Sequence, residues 1–156
     1  MKFNFKLFIL CLGLPLLVGG LAGLITNNSM NAFQMLSKPT LSPPAWLFPV
    51  VWTILYILMG IASYLVLASE DNSDTVNIAL KFYIAQLAVN FFWPILFFTF
   101  ELYLFSFIWL LLLIVLVIIT IVLFAQISKP AAYLMLPYLI WLIFAGYLNL
   151  SIYLLN

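Results

Sequence analysis

The chain has 156 residues, of which 68% are hydrophobic, 18% aromatic and only 6% charged, with a formal net charge of +1. A soluble domain carries about 25% charged residues, so this composition excludes a water-exposed enzyme, a secreted domain and a nucleic-acid binder, which needs a basic face. A mean hydropathy of +1.30, with one cysteine and no histidine, points to a membrane protein and excludes a disulfide framework, a Cys-rich metal site and histidine-based chemistry.

Uncharged stretches predict an all-α integral membrane protein, a bundle of five transmembrane helices in a single domain over residues 1–156. About 20 apolar residues cross the hydrocarbon core as a helix, and each stretch is long enough to span once and too short to span twice. The first helix is expected over residues 7–25, after Lys2 and Lys6. No small-residue cleavage site follows it, so it reads as a retained span rather than a signal peptide. Gly19 and Gly23 match a small-xxx-small pattern, and they either bring helices close together or are merely tolerated. Residues 26–44 form the long loop, polar at Asn27, Asn28, Asn31 and Gln34, then Lys38-Pro39 and Ser42-Pro43-Pro44. Its Pro pair blocks a helix, and loops of this length commonly serve as lids.

The second helix, residues 45–68, carries Trp52, Tyr56 and Ser63 on one stripe, with Trp46 at its start in a position that suits an interface anchor. An acidic turn with Glu70, Asp71 and Asp74 leads to the third helix, residues 79–100. There Tyr83, Gln86 and Asn90 recur at helical spacing, and Trp93 and Phe97 continue the stripe. The fourth helix, residues 102–127, is apolar all round over 110–119 and is expected to face lipid. The fifth, residues 131–155, aligns Tyr138, Trp141, Ala145 and Asn149. Pro15, Pro94 and Pro137 are expected to kink the first, third and fifth helices, opening space inside the bundle. Lys2, Lys6, Lys81 and Lys129 fall on one side of the membrane and Lys38 alone on the other. Positive-inside then puts the N-terminus in the cytoplasm.

No ionisable residue sits at a span centre, so ion pumping has no machinery here. The polarity that remains is amide, phenol and indole. Two readings stay open for these stripes. They either hydrogen-bond neighbouring helices, worth about 0.6–2 kcal/mol each, or line an aromatic pocket for a flat hydrophobic ligand.

Three motifs carry a resemblance. Lys38-Pro39, Pro43-Pro44-Ala45-Trp46-Leu47-Phe48, Val51-Trp52-Thr53-Ile54-Leu55-Tyr56 and Met59-Gly60 form the first. Gln86-Leu87-Ala88-Val89-Asn90-Phe91-Phe92-Trp93 with Phe97-Phe98 forms the second, and Pro137-Tyr138-Leu139-Ile140-Trp141 with Phe144-Ala145 and Leu148-Asn149 the third. In this order they resemble the translocator protein family, also called tryptophan-rich sensory proteins or peripheral benzodiazepine receptor-like proteins. The resemblance implies a five-helix bundle, usually a homodimer, with a pocket beneath the loop between the first two helices. It implies a membrane receptor or sensor for tetrapyrroles such as protoporphyrin IX and for isoquinoline or benzodiazepine-type lipophiles, moving or sequestering them.

By motif match the ligand positions are Trp52, Asn90, Trp141, Ala145 and Leu148, with Pro44 and Trp46 near the mouth. Tyr56 and Trp93, on the same stripes, complete the set. No catalytic residue, metal or resident cofactor is expected, a porphyrin being ligand rather than cofactor. Light-dependent porphyrin breakdown, driven by the ligand's own photochemistry, and a structural membrane partner with a vestigial pocket are the alternatives. Three departures matter. The family's Trp-Tyr pair in the long loop is Ala32-Phe33 here, and Leu41 replaces a Trp, which is expected to weaken a stacking lid. An acidic position of the fourth helix is Trp109, and the C-terminal cholesterol pattern lacks its basic residue, which favours a multi-pass protein of a bacterial cell membrane.

Overall fold

A computed structural model describes residues 2–70 and 73–156. Helix α1 (Phe5–Thr26) runs through a 3-10 turn, Asn27–Ser29, into a short α2 (Met30–Gln34). Then come α3 (Leu47–Leu67), α4 (Ser73–Pro94), α5 (Tyr103–Ile127) and α6 (Lys129–Leu155). A π-helical turn, Ile95–Thr99, prolongs α4. Five of these helical segments are long and apolar enough to cross a membrane. In lipid the helix satisfies every backbone N–H internally, and the structure is all-α accordingly. The protein is a multi-pass integral membrane protein.

Local chemistry places the helix ends. The Asn4 side chain accepts a hydrogen bond from the Leu7 N–H at 3.1 Å and starts α1. Ser128 accepts from the Ala131 N–H at 3.4 Å, with Pro130 in the first turn of α6. Helix α4 starts at Ser73, earlier than the expected residue 79, because polar residues extend it past the apolar stretch and Asp74 suits the positive end of its dipole. Of the expected acidic turn, Asp71 lies outside the described residues. Residues 26–44 are not wholly irregular. No Pro or Gly occurs before Pro39 in that stretch, and its first part stays helical as α2.

Round the bundle the order is α1, α3, α6, α5, α4, with α4 returning to α1. The close approach of α1 to α3 depends on Gly60. A Cβ there would stand 2.8 Å from the Cys11 carbonyl oxygen and the Leu12 Cα. Of the expected glycine pair, Gly19 packs under the Tyr56 ring, whereas Gly23 has open space before it.

Helix α5 meets the expectation of a lipid-facing span on one side only, where Leu111, Leu112, Val115 and Ile118 are exposed. It buries Ser106, Leu110, Leu113, Val117, Thr120 and Phe124, a seam at alternating spacings of four and three. That seam packs against α4 and α6. Hydrophobicity does not separate inside from outside when the solvent is itself hydrocarbon. The small polar residues Ser106 and Thr120, both on the seam, mark the buried side.

Candidate ligand cavity

A cavity of about 520 Å³ opens under α2, walled by α1, α3, α4 and α6. On the α1 side, glycines 19, 20 and 23 lie between Leu16, Ala22 and Thr26 and keep that wall low. Trp52 and Tyr56 enter from α3, Asn90 and Trp93 from α4, and Trp141, Ala145 and Leu148 from α6. Seven of the nine residues expected at a ligand site therefore meet around one space. Pro44 and Trp46 do not join them. The Pro44 carbonyl accepts from the Leu47 N–H at 3.0 Å, opening α3. Trp46, at the N-cap of α3, points outward and is 66% exposed.

The floor is polar and closed on itself. The Tyr56 hydroxyl donates to Asn90 Oδ1 at 2.9 Å. Asn90 Nδ2 donates to the Tyr138 hydroxyl at 2.6 Å, and that hydroxyl donates to Gln86 Oε1 at 2.8 Å. Gln86 Nε2 faces the Met59 sulfur at 3.9 Å, a weak acceptor that cannot donate, which fixes which way the Gln86 amide points. All four side chains are buried. Above them Trp52 stacks on Tyr56, centroids 5.6 Å apart and planes at 28°, and meets Tyr138 edge-on at 6.2 Å. Tyr138 and Gln86 stood on the predicted stripes without entering the expected ligand set. Their role is to hold Asn90 and Tyr56 in place.

A second knot ties the wall to α5. Asn149 Oδ1 accepts from Trp93 Nε1 and from the Ser106 hydroxyl, both at 3.1 Å. Asn149 Nδ2 donates to the Tyr103 carbonyl at 2.8 Å. Trp93 is thereby oriented, with its ring stacked on Phe97 at 5.4 Å. Trp141 is different. It packs against Phe48 and Phe144, centroids 5.8 and 5.6 Å away. Its Nε1 is the one buried side-chain polar atom with no hydrogen-bond partner among the described residues. Trp109, at the position where an acid was expected by resemblance, donates from Nε1 to the Val89 carbonyl at 2.8 Å. It pins α5 to α4 and lines no part of the cavity.

The lid is apolar inside and tied by few polar bonds. Phe33 of α2 is buried among Phe48, Phe97 and Phe98 and lines the cavity. Ala32 and Leu41 are exposed. One aromatic ring therefore closes the mouth, from the second position of the Ala32-Phe33 pair. The Asn156 side chain accepts from the Ser37 N–H at 3.1 Å and donates to the Ser37 carbonyl at 2.9 Å, clasping the segment after α2 to the end of α6.

A family model described as the TspO/MBR family matches residues 11–155. The "Tryptophan-rich protein TspO" of Chlorobaculum tepidum is 40% identical, over 94% of this chain and 94% of its own length. The "Translocator protein" of Ovis aries is 36% identical, over 84% of this chain and 79% of its own. The "Tryptophan-rich sensory protein" of Cereibacter sphaeroides is 34% identical, over 97% and 90%. With a bundle of five spanning helices and a family match over nearly its whole length, the chain belongs to the TspO/MBR family.

Proposed function

We propose that the protein is a membrane receptor or sensor that takes tetrapyrroles, with protoporphyrin IX as the type ligand, and other flat aromatic lipophiles such as isoquinoline and benzodiazepine compounds. One observation carries this reading: a cavity of about 520 Å³ walled by rings from α2, α3, α4 and α6, with no Asp, Glu or Lys among its lining residues. Pockets of roughly 300–1,000 Å³ with apolar walls and a few fixed polar groups suit drug-sized and cofactor-sized ligands. Aromatic walls favour flat rings by stacking and edge contacts. Burial of the floor network leaves apolar contact as the main source of affinity for a ligand that is held or passed on. A bacterial cell membrane belongs to the same proposal, supported by the similarity to the Chlorobaculum relative. So does pairing of two copies, which rests on the family resemblance alone.

The test is a titration of the protein in lipid nanodiscs with protoporphyrin IX, followed by tryptophan fluorescence in the dark, then displacement by an isoquinoline carboxamide. Saturable quenching at one site per chain, reversed by the competitor, is expected. Quenching that rises linearly without saturation would mean partition into lipid and would defeat the reading.

A further inference from the structure

Protoporphyrin and its relatives combine an apolar ring with ionised carboxylates, and the cavity treats these two parts differently. No lining residue is charged. At the floor the polar groups are committed to one another. A carboxylate carried down to that floor would lose its water and gain no cation, and buried charges are not tolerated on those terms. An amphipathic anion must leave its charge at the mouth.

One lysine stands there. Lys2 and Lys6 lie at the start of α1, Lys81 in the first half of α4 and Lys129 at the start of α6, all at the far end of the bundle. Lys38 alone lies at the end where α2 closes the cavity. Its Nζ sits 4.8 Å from the centroid of Phe33, the ring that forms the lid side of the wall. The ammonium donates to the carbonyls of Gln34 at 3.2 Å and Leu36 at 3.5 Å. An ammonium has three donors, so one stays uncommitted. Its bonds among the described residues go to carbonyls and not to a carboxylate; Glu101, an acid at the same end, lies in the turn before α5 and lines a surface recess with Asn156. The Asn156 clasp on Ser37 fixes the backbone immediately before it.

We propose that Lys38 selects and orients anionic ligands: the ring system enters beneath Phe33, and a carboxylate stays at the mouth against the Lys38 ammonium. This deepens, and rests on, the reading of the cavity as a ligand site. A dicarboxylate should then bind better than its neutral ester, although the ester is the more apolar molecule.

The experiment compares protoporphyrin IX with its dimethyl ester on the full chain in nanodiscs, for wild type, Lys38→Gln and Lys38→Arg. One charge-assisted contact should favour the acid about fivefold in the acid-to-ester affinity ratio. Lys38→Gln should abolish that preference with ester affinity unchanged, and Lys38→Arg should restore it. Added salt should weaken the acid on wild type and leave the Lys38→Gln protein indifferent. An acid-to-ester ratio equal in wild type and Lys38→Gln would overturn the assignment. So would parallel loss of both ligands, which would give Lys38 only a part in lid structure. If neither porphyrin binds wild type, the cavity reading itself fails, and this inference with it.

Discussion

At the floor of the cavity, Tyr56, Asn90, Gln86 and Tyr138 come from three helices, are buried, and spend their hydrogen bonds on one another. At the lid, one ring, Phe33, packs with Met30 and Leu36, and exposed bonds, from Ser29 to Thr99 and in the amide clasp between Asn156 and Ser37, hold the closing segment. The two regions differ in what competes with their bonds. The floor side chains are at most 8% exposed, so a lost partner there leaves a poorly satisfied group in a largely apolar surrounding. At the lid, water replaces either partner of the clasp. Elements held by few buried contacts and by exposed hydrogen bonds are those that open locally. The floor should therefore govern affinity and stability, and the lid the rates of entry and exit.

Three substitutions sharpen or break that division, in falling order of effect. Asn90→Leu removes the acceptor of Tyr56 and the donor to Tyr138 together. A loss of about 1–3 kcal/mol in stability is expected, visible as a lower thermal midpoint in detergent, with porphyrin affinity reduced as well. An unchanged midpoint would show that the network is not a structural element. Asn156→Ala opens the clasp, which is exposed, so that water replaces the lost partner and little stability goes with it. Stopped-flow displacement of protoporphyrin should show a several-fold faster off-rate with the thermal midpoint nearly unmoved. Equal rates in both proteins would place the gate elsewhere. Ala32→Trp should do least, because Ala32 points away from the cavity. An off-rate within about twofold of wild type is expected, as for ordinary surface substitutions. A markedly slower one would mean that the loop turns over to bring position 32 inward.

Much of this architecture was legible from residues alone, for physical reasons that also explain the gaps. Five uncharged stretches of spanning length left one arrangement open to the backbone, and the spans follow them. The polar stripes on α3, α4 and α6 pointed inward because amides and phenols have no partners in lipid. That is why Trp52, Tyr56, Asn90, Trp93, Trp141, Ala145 and Leu148 converge. The same logic gave no purchase on α5, where nearly every side chain is apolar and only Ser106 and Thr120 distinguished the buried seam. Pro44 and Trp46 lie in a motif adjacent to the pocket, yet the direction of a side chain at a helix start depends on the cap, which spacing does not reveal. The resemblance marks the Ala32-Phe33 pair as part of the lid, but which of the two turns inward has no periodic signal in a loop that mixes Met30, Met35, Leu36 and Leu41 with polar residues. The Asn156 clasp joins residues 119 positions apart and has no local signature at all.

The central claim, that ligands bind between α3, α4 and α6 under the α2 lid, is tested most directly by a paired titration of Trp141→Ala and Trp109→Phe with protoporphyrin IX. Trp141 lines the cavity, whereas Trp109 ties α5 to Val89 on the other side of α4. Removing the Trp141 ring should weaken binding about tenfold or more, equivalent to about 1.4 kcal/mol and within the reach of one aromatic contact. Trp109→Phe keeps the ring packing against Phe92 and Phe105 and should leave affinity near that of wild type. Equal losses in the two variants, or full affinity without the Trp141 ring, would contradict the account.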